Sequence, residues 1–179
     1  MDYSLTAIIC TYNRSKILKN TINSLIKIRN SFFPIEIIII DDGSKIPFSK
    51  SFRKFLIKNK IKFKINSKNL GLAYSRNKGI KNSQTKYFLI CDDDDTYENP
   101  IFLKNLFENI VKEKVDVGIG IPKAQSEFKE KQIFLLKTLF LKGITPPVSY
   151  QIYRKDMLEN YYDRRVKAGI DMDLWINLL

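Results

Sequence analysis

The segment Tyr87-Phe88-Leu89-Ile90-Cys91-Asp92-Asp93-Asp94-Asp95 decides how this chain is read. Its first five residues are too few for a helix and too hydrophobic for a surface strand. They read as a buried strand in a sheet covered on both faces. Four carboxylates then crowd the end of that strand. Like charges a few ångströms apart raise one another's proton affinity, and a cation removes the conflict. Hard ions with oxygen ligands, Mg²⁺ or Mn²⁺, suit such a cluster. The alternative is a solvated acidic turn that caps a helix starting near Asn99.

Working outward, strand and helix alternate. Upstream, Leu5–Thr11 is an apolar run ending in the turn Tyr12-Asn13-Arg14, and Ser15–Arg29 places Ile17, Leu18, Ile22, Leu25 and Ile26 at helical spacing. Pro34 stops that helix, and Ile35–Ile40 is a β-branched strand. Phe48–Asn59 reads as a helix, Ile61–Ile65 as a strand and Leu72–Lys81 as a helix. Lys58, Lys60, Lys62 and Lys64 alternate with Asn59, Ile61, Phe63 and Ile65, the pattern of an edge strand with one wet lysine face. Downstream, Pro100 suits the first turn of a helix to about Lys112, and Val115–Ile121 is a fifth strand. Such alternation with short connections implies an α/β fold with a mainly parallel central sheet flanked by helices. Beyond Pro122 the periodicity loosens. Phe128–Leu141 is an unusually apolar helix that either packs on the sheet or lies on a membrane surface beside Lys129, Lys131, Lys137 and Lys142. Val148–Arg154 reads as a late strand and Asp171–Leu179 as a helix start.

Composition narrows the chemistry. The chain of 179 residues fits one domain with a full-sized core, and it contains no histidine. Histidine-built zinc sites, Ser-His-Asp triads and Cys-His dyads are therefore excluded, leaving carboxylates, Lys and Tyr for acid–base work. No apolar run is long enough to span a membrane and no signal-peptide pattern opens the chain, so a cytoplasmic location is expected, with Cys10 and Cys91 as free thiols. Residues 1–91 carry 18 basic against 4 acidic side chains, a net +14, whereas residues 92–179 carry 13 against 15, a net −2. The basic half suits an anionic partner such as a nucleotide phosphate, an acidic membrane surface or nucleic acid, or else its lysines simply solvate helices.

Three polar clusters fall at strand ends: Thr11-Tyr12-Asn13-Arg14, Asp41-Asp42-Gly43-Ser44 and Asp92–Asp95. Open α/β sheets bind ligands beyond the carboxyl ends of their strands. An acidic side chain there can accept a nucleobase N–H or a ribose hydroxyl, and Tyr12 offers a stacking face. There is neither a Walker A loop nor a GxGxxG segment, so P-loop ATPase and dinucleotide dehydrogenase readings lack support.

In order along the chain, these segments resemble family 2 glycosyltransferases of the GT-A (Rossmann-like) fold. Ala7–Arg14 resembles the family's opening strand and turn, and Ile39–Ser44 its second. Asn69–Ile80 is similar to its N-x-G-x-x-x-A-R-N-x-G segment, with Ser75 in place of alanine, and Tyr87–Asp95 to the strand ending in D-x-D-D. Gly169–Trp175 resembles E-D-x-D-L-W, with Ile170 where the glutamate usually stands.

The resemblance implies a nucleotide-sugar donor held across the strand ends. Tyr12 and Asp42 would contact the base, with Thr11 and Asp41 nearby. Arg76 would touch phosphate or pair with a loop aspartate, and Asp93 would meet ribose or donor sugar. Asp92 and Asp94 would ligate Mn²⁺ or Mg²⁺, and Asp95 would bind donor or cap the next helix. Asp171 would be the general base that deprotonates the acceptor hydroxyl. Residues 1–98 would form the nucleotide-sugar half and 99–179 the acceptor-side half of a single domain. Family members usually continue past the Asp171 helix, so a C-terminal truncation or a naturally short protein is expected. The implied reaction is inverting transfer from a nucleotide-diphosphate sugar, a UDP-sugar in the leading reading. The acceptor would be a glycan or lipid-linked hydroxyl in surface-glycan synthesis, at the cytoplasmic face of the membrane. The alternatives are a sugar-nucleotide nucleotidyltransferase, disfavoured by the missing Gly-rich lysine loop, and a basic nucleic-acid-binding domain, which explains neither aspartate cluster.

Overall fold

In the computed structural model, which describes residues 5–120, 150–158, 162, 163 and 165, the chain builds one six-stranded sheet. Its strands are β1 (Leu5–Thr11), β2 (Ile35–Asp41), β3 (Lys62–Ile65), β4 (Tyr87–Asp92), β5 (Val117–Ile119) and β6 (Gln151–Arg154). The helices are α1 (Ser15–Ser31), α2 (Lys50–Lys58), α3 (Leu72–Asn82) and α4 (Pro100–Glu113). Strand order is β3-β2-β1-β4-β6-β5, and β1 to β4 run parallel. The expected helix over 128–141 and the segment with Asp171 lie outside the described residues.

The β1 and β2 strands are buried at every position because helices cover both faces. Alternation sorts their side chains. Leu5, Ala7, Ile9, Ile35, Ile37, Ile39 and Leu89 pack with Leu18, Ile22, Leu25 and Ile28 of α1 and with Leu103, Phe107 and Ile110 of α4. Ile8, Phe88 and Ile90 point the other way and pack with Ala73 and Ile80 of α3. That second layer is tight, since a Cβ on Gly79 would stand 2.3 Å from Ile8 Cγ2. Helix starts follow local chemistry. The Ser49 hydroxyl accepts the Phe52 N–H at 3.1 Å, so α2 begins after Phe48. Asn99 caps α4 at Ile101 N, with Pro100 in the first turn.

Two details differ from the sequence expectation. The late strand β6 runs antiparallel and inserts between β4 and β5. Its Gln151, Ile152 and Tyr153 are all buried, and Tyr153 stacks on Phe88 at 5.5 Å, whereas β5 is a short, half-buried edge. The lysine alternation is also only half a strand. Lys62 and Lys64 lie on edge strand β3, but Lys58 ends α2 and Lys60 takes φ 53° in the turn between them. The helical pairing of Asn59 Nδ2 with the Phe55 carbonyl holds that turn out of the strand.

Candidate active site

The parallel register sets the three strand-end turns side by side, with Thr11 opposite Asp41 and Cys10 opposite Asp92. Asn13, at φ 58°, ties the first two turns together. Its N–H donates to Ser44 Oγ at 2.7 Å, and its Oδ1 accepts Lys45 N at 2.8 Å. Asp41 is buried, and its Oδ1 accepts Ser44 N at 2.9 Å. Its Oδ2 is also buried and has no hydrogen-bond partner among the described residues. Such an atom is rare in a folded chain and calls for an explanation. Tyr12, in the turn after β1, is half-buried.

Asp42, next along, has the opposite character. Its Oδ1 accepts Asn66 Nδ2 at 2.8 Å, Ser75 Oγ at 2.9 Å and Leu70 N at 3.0 Å, and its Oδ2 accepts Gly71 N at 2.9 Å. The carboxylate is thereby consumed in holding the 66–71 loop and the start of α3. Gly43 makes this possible. It takes φ 74°, and a Cβ there would meet the Lys68 carbonyl carbon at 2.2 Å.

The aspartate run divides its charges among specific partners. Asp92 Oδ1 pairs with Arg76 Nη2 at 3.2 Å, and Asp92 N donates to Asp95 Oδ2 at 2.7 Å. Asp93 Oδ2 accepts the Thr11 hydroxyl at 2.6 Å and its Oδ1 pairs with Arg14 Nη1 at 2.9 Å. Asp94 Oδ2 pairs with Arg14 Nη2 at 2.7 Å. Burial pushes the Asp93 carboxyl above the usual carboxylate range, against the pull of Thr11 and Arg14. The Arg14 hydrogen bond holds Asp94 below that range. Arg76 is almost wholly buried, with its guanidinium 5.2 Å from the ring centroid of Tyr162. Asn77 exchanges two hydrogen bonds with the Tyr162 main chain, at 2.7 and 2.9 Å, and so docks the segment after β6 on α3.

No group of three His, Cys, Asp or Glu side chains arranged to hold an ion occurs among the described residues. The donor chemistry nevertheless fits Mg²⁺ or Mn²⁺. Asp92 and Asp94 present half-exposed carboxylates, 47% and 53% accessible, and such ions are commonly held by one or two carboxylates plus ligand phosphates and water.

The structure thus brings Thr11, Tyr12, Asp41, Asp42, Arg76, Asp92, Asp93 and Asp94 to one edge of the sheet. Asp171 lies outside the described residues. Sequence reasoning gave no role to Arg14, Asn66 or Asn77. Arg14 closes a strand-end turn and Asn66 directly follows β3, which is a usable signal. Nothing local to Asn77 announces a partner 85 residues away.

Residues 6–164 match the family described as Glycosyl transferase family 2. Among curated proteins, the cholesterol galactosyltransferase of Borreliella burgdorferi is 30% identical over 162 residues, covering 88% of this chain and 41% of that protein. The poly(ribitol-phosphate) beta-N-acetylglucosaminyltransferase TarS of Staphylococcus aureus is 27% identical over 183 residues, covering 93% of this chain and 30% of that one. The chain therefore spans less than half the length of these relatives. The crystal structure of TarS 1–349 superposes with a TM-score of 0.77 at 24% identity, over 97% of this chain and 54% of that one. The expected GT-A architecture is the one this chain adopts. A match that runs through all four parallel strands and the turns beyond them leads to one conclusion: the chain belongs to glycosyl transferase family 2.

Proposed function

We propose that this chain is the donor-binding and catalytic part of an inverting, metal-dependent glycosyltransferase that uses a UDP-sugar. The observation that carries the reading is the buried Asp41 Oδ2, an acceptor that has no donor among the described residues, at the carboxyl edge of a parallel sheet. The N3–H of uracil is a donor of the required kind, and cytosine lacks it. The choice of UDP is also supported by the TarS structures, which hold UDP and UDP-GlcNAc. In this reading Tyr12 stacks on the base. Asp93, already oriented by Thr11 and Arg14, takes a ribose or sugar hydroxyl. Arg76 either meets the diphosphate or serves through its pair with Asp92. Asp92 and Asp94 would hold Mn²⁺ or Mg²⁺, which when bound neutralises the charge developing on the leaving diphosphate. Asp171 takes the proton of the acceptor hydroxyl as that oxygen attacks the anomeric carbon. The bond to diphosphate breaks on the opposite face, and no acid is needed at the leaving group.

We place the acceptor, a glycan or lipid-linked hydroxyl of a surface glycan, at the cytoplasmic face of the membrane. Two buried, unpaired cysteines fit a reducing compartment. The reading is tested by thermal shift with UDP in Mn²⁺ and in EDTA. Binding at a hundredfold excess over Kd adds about 2.7 kcal/mol. Stabilisation is expected in Mn²⁺ and largely lost in EDTA, and Asp94→Ala should remove that difference. Equal stabilisation in both buffers would show that Asp94 holds no metal.

A further inference from the structure

We infer that Arg14 is the resident counter-ion of the aspartate run, binding Asp93 and Asp94 until a divalent cation arrives with a nucleotide diphosphate, and so weakening the site for the cation alone. The inference rests on the metal-dependent reading above. It starts from how the arginine is held. Asn13 fixes the turn through Ser44 and Lys45, and the Arg14 carbonyl accepts Ile17 N at 3.0 Å and Leu18 N at 3.1 Å as the first turn of α1. The main chain is thus anchored, and only the side chain reaches across to the turn after β4. There its two terminal nitrogens take different carboxylates, Nη1 to Asp93 at 2.9 Å and Nη2 to Asp94 at 2.7 Å. One guanidinium therefore does for this pair what a cation would do, and the turn can fold without one.

The two arginines at the site are built differently. The Arg76 side chain is 1% exposed and lies against the Tyr162 ring, so it belongs to the core. The Arg14 side chain is 44% exposed, and among the described residues these two carboxylates are its only side-chain partners. It can leave by rotating a long, solvated side chain. A free divalent ion that takes Asp94 must compete with it there and gives the displaced charge nothing in return. An ion arriving with a diphosphate brings anionic oxygens that the guanidinium can join, since arginine suits phosphate as well as carboxylate. Arg14 thereby couples the two ligands, favouring the metal–nucleotide pair over either alone.

The test is Mn²⁺ titration followed by the electron paramagnetic resonance of the free ion, with wild-type protein, Arg14→Gln and Arg14→Lys, each with and without UDP. Without UDP, Arg14→Gln is expected to bind Mn²⁺ on the order of tenfold more tightly than wild type. Arg14→Lys, whose single ammonium cannot span both carboxylates, should fall between them. Adding UDP should tighten Mn²⁺ binding more in wild type than in Arg14→Gln. If Arg14→Gln melts early in EDTA and is restored by Mn²⁺, the cation has replaced the guanidinium and the inference stands. If it folds in neither buffer, the lysine variant decides, and Mn²⁺ affinity equal to wild type overturns the inference. Equal or weaker Mn²⁺ binding by a folded Arg14→Gln, while wild type binds Mn²⁺ with UDP, overturns the role of Arg14 and leaves the metal reading intact. Wild type that binds no Mn²⁺ with UDP overturns both.

Discussion

Replacing Asp42 by asparagine separates a scaffold role from a ligand role at the second strand end. The aspartate is 5% exposed and accepts four donors: Asn66 Nδ2, Ser75 Oγ and the N–H groups of Leu70 and Gly71. Asparagine keeps the shape and can leave its carbonyl oxygen facing the three donors on Oδ1. Its amide nitrogen then faces Gly71 N–H, donor against donor, inside a buried loop. A hydrogen bond to a charged group is worth about 1.5–3 kcal/mol, and an orphaned buried donor costs about 1–3 kcal/mol. The steps overlap, so the expected loss is about 2–4 kcal/mol. For a chain of this size that lowers Tm by roughly 5–15 °C. Urea unfolding followed by far-ultraviolet circular dichroism measures it directly. Asp41→Asn is the control. Among the described residues only Oδ1 of Asp41 is engaged, by Ser44 N, so stability should change by no more than about 1.5 kcal/mol while UDP binding falls. An Asp42→Asn protein within about 0.5 kcal/mol of the parent would refute the reasoning. If it also failed to bind UDP, Asp42 would be a base contact and not a brace.

Asp171→Asn is expected to keep UDP binding and lose transfer, by ~10²–10⁴ in rate if Asp171 is the base; measuring UDP release against an acceptor checks this, and an effect at Asp173 in its place would move the base by two residues. The cysteines should be silent in the native state. Burial lifts Cys10 to about 12 and Cys91 well above its ordinary value, so at pH 8 the Cys10 thiolate fraction is roughly one in ten thousand. A chromogenic disulfide reagent should label neither thiol before unfolding and both after it. The sign of the linkage also follows. Because the folded thiol holds its proton more tightly than the unfolded one, this contribution to stability is complete below about pH 9 and is lost as pH rises towards about 12. A melting temperature that climbs across that range because of Cys10, as judged against Cys10→Ala, would contradict it.

Much of the fold is legible locally. The apolar runs at Leu5–Thr11, Ile35–Asp41 and Tyr87–Asp92 need covering on both faces, and one domain has few ways to do that other than an α/β sheet. Helix boundaries are also local, because capping side chains such as Ser49 and Asn99 act within three residues. The clustering of Thr11, Asp41 and Asp92–Asp95 follows as soon as the strands are parallel, since each polar turn then opens on the same edge.

What the sequence determined by itself is therefore the sheet, its helices and which edge carries the chemistry, because periodicity, caps and turns are short-range properties of the chain. Tertiary structure alone decided the roles within that edge. Asp41 and Asp42 are neighbours of one residue type, yet one keeps a buried oxygen without a partner among the described residues and the other is saturated by the 66–71 loop and Ser75. Arg14 and Arg76 are both arginines near aspartates, yet one is solvated across two carboxylates and the other is sealed under Tyr162. The insertion of β6 between β4 and β5 is of the same kind, since it depends on which strand buries Tyr153 against Phe88. Hydrogen bonds and burial are settled by what arrives from distant parts of the chain, and no local pattern encodes the partner.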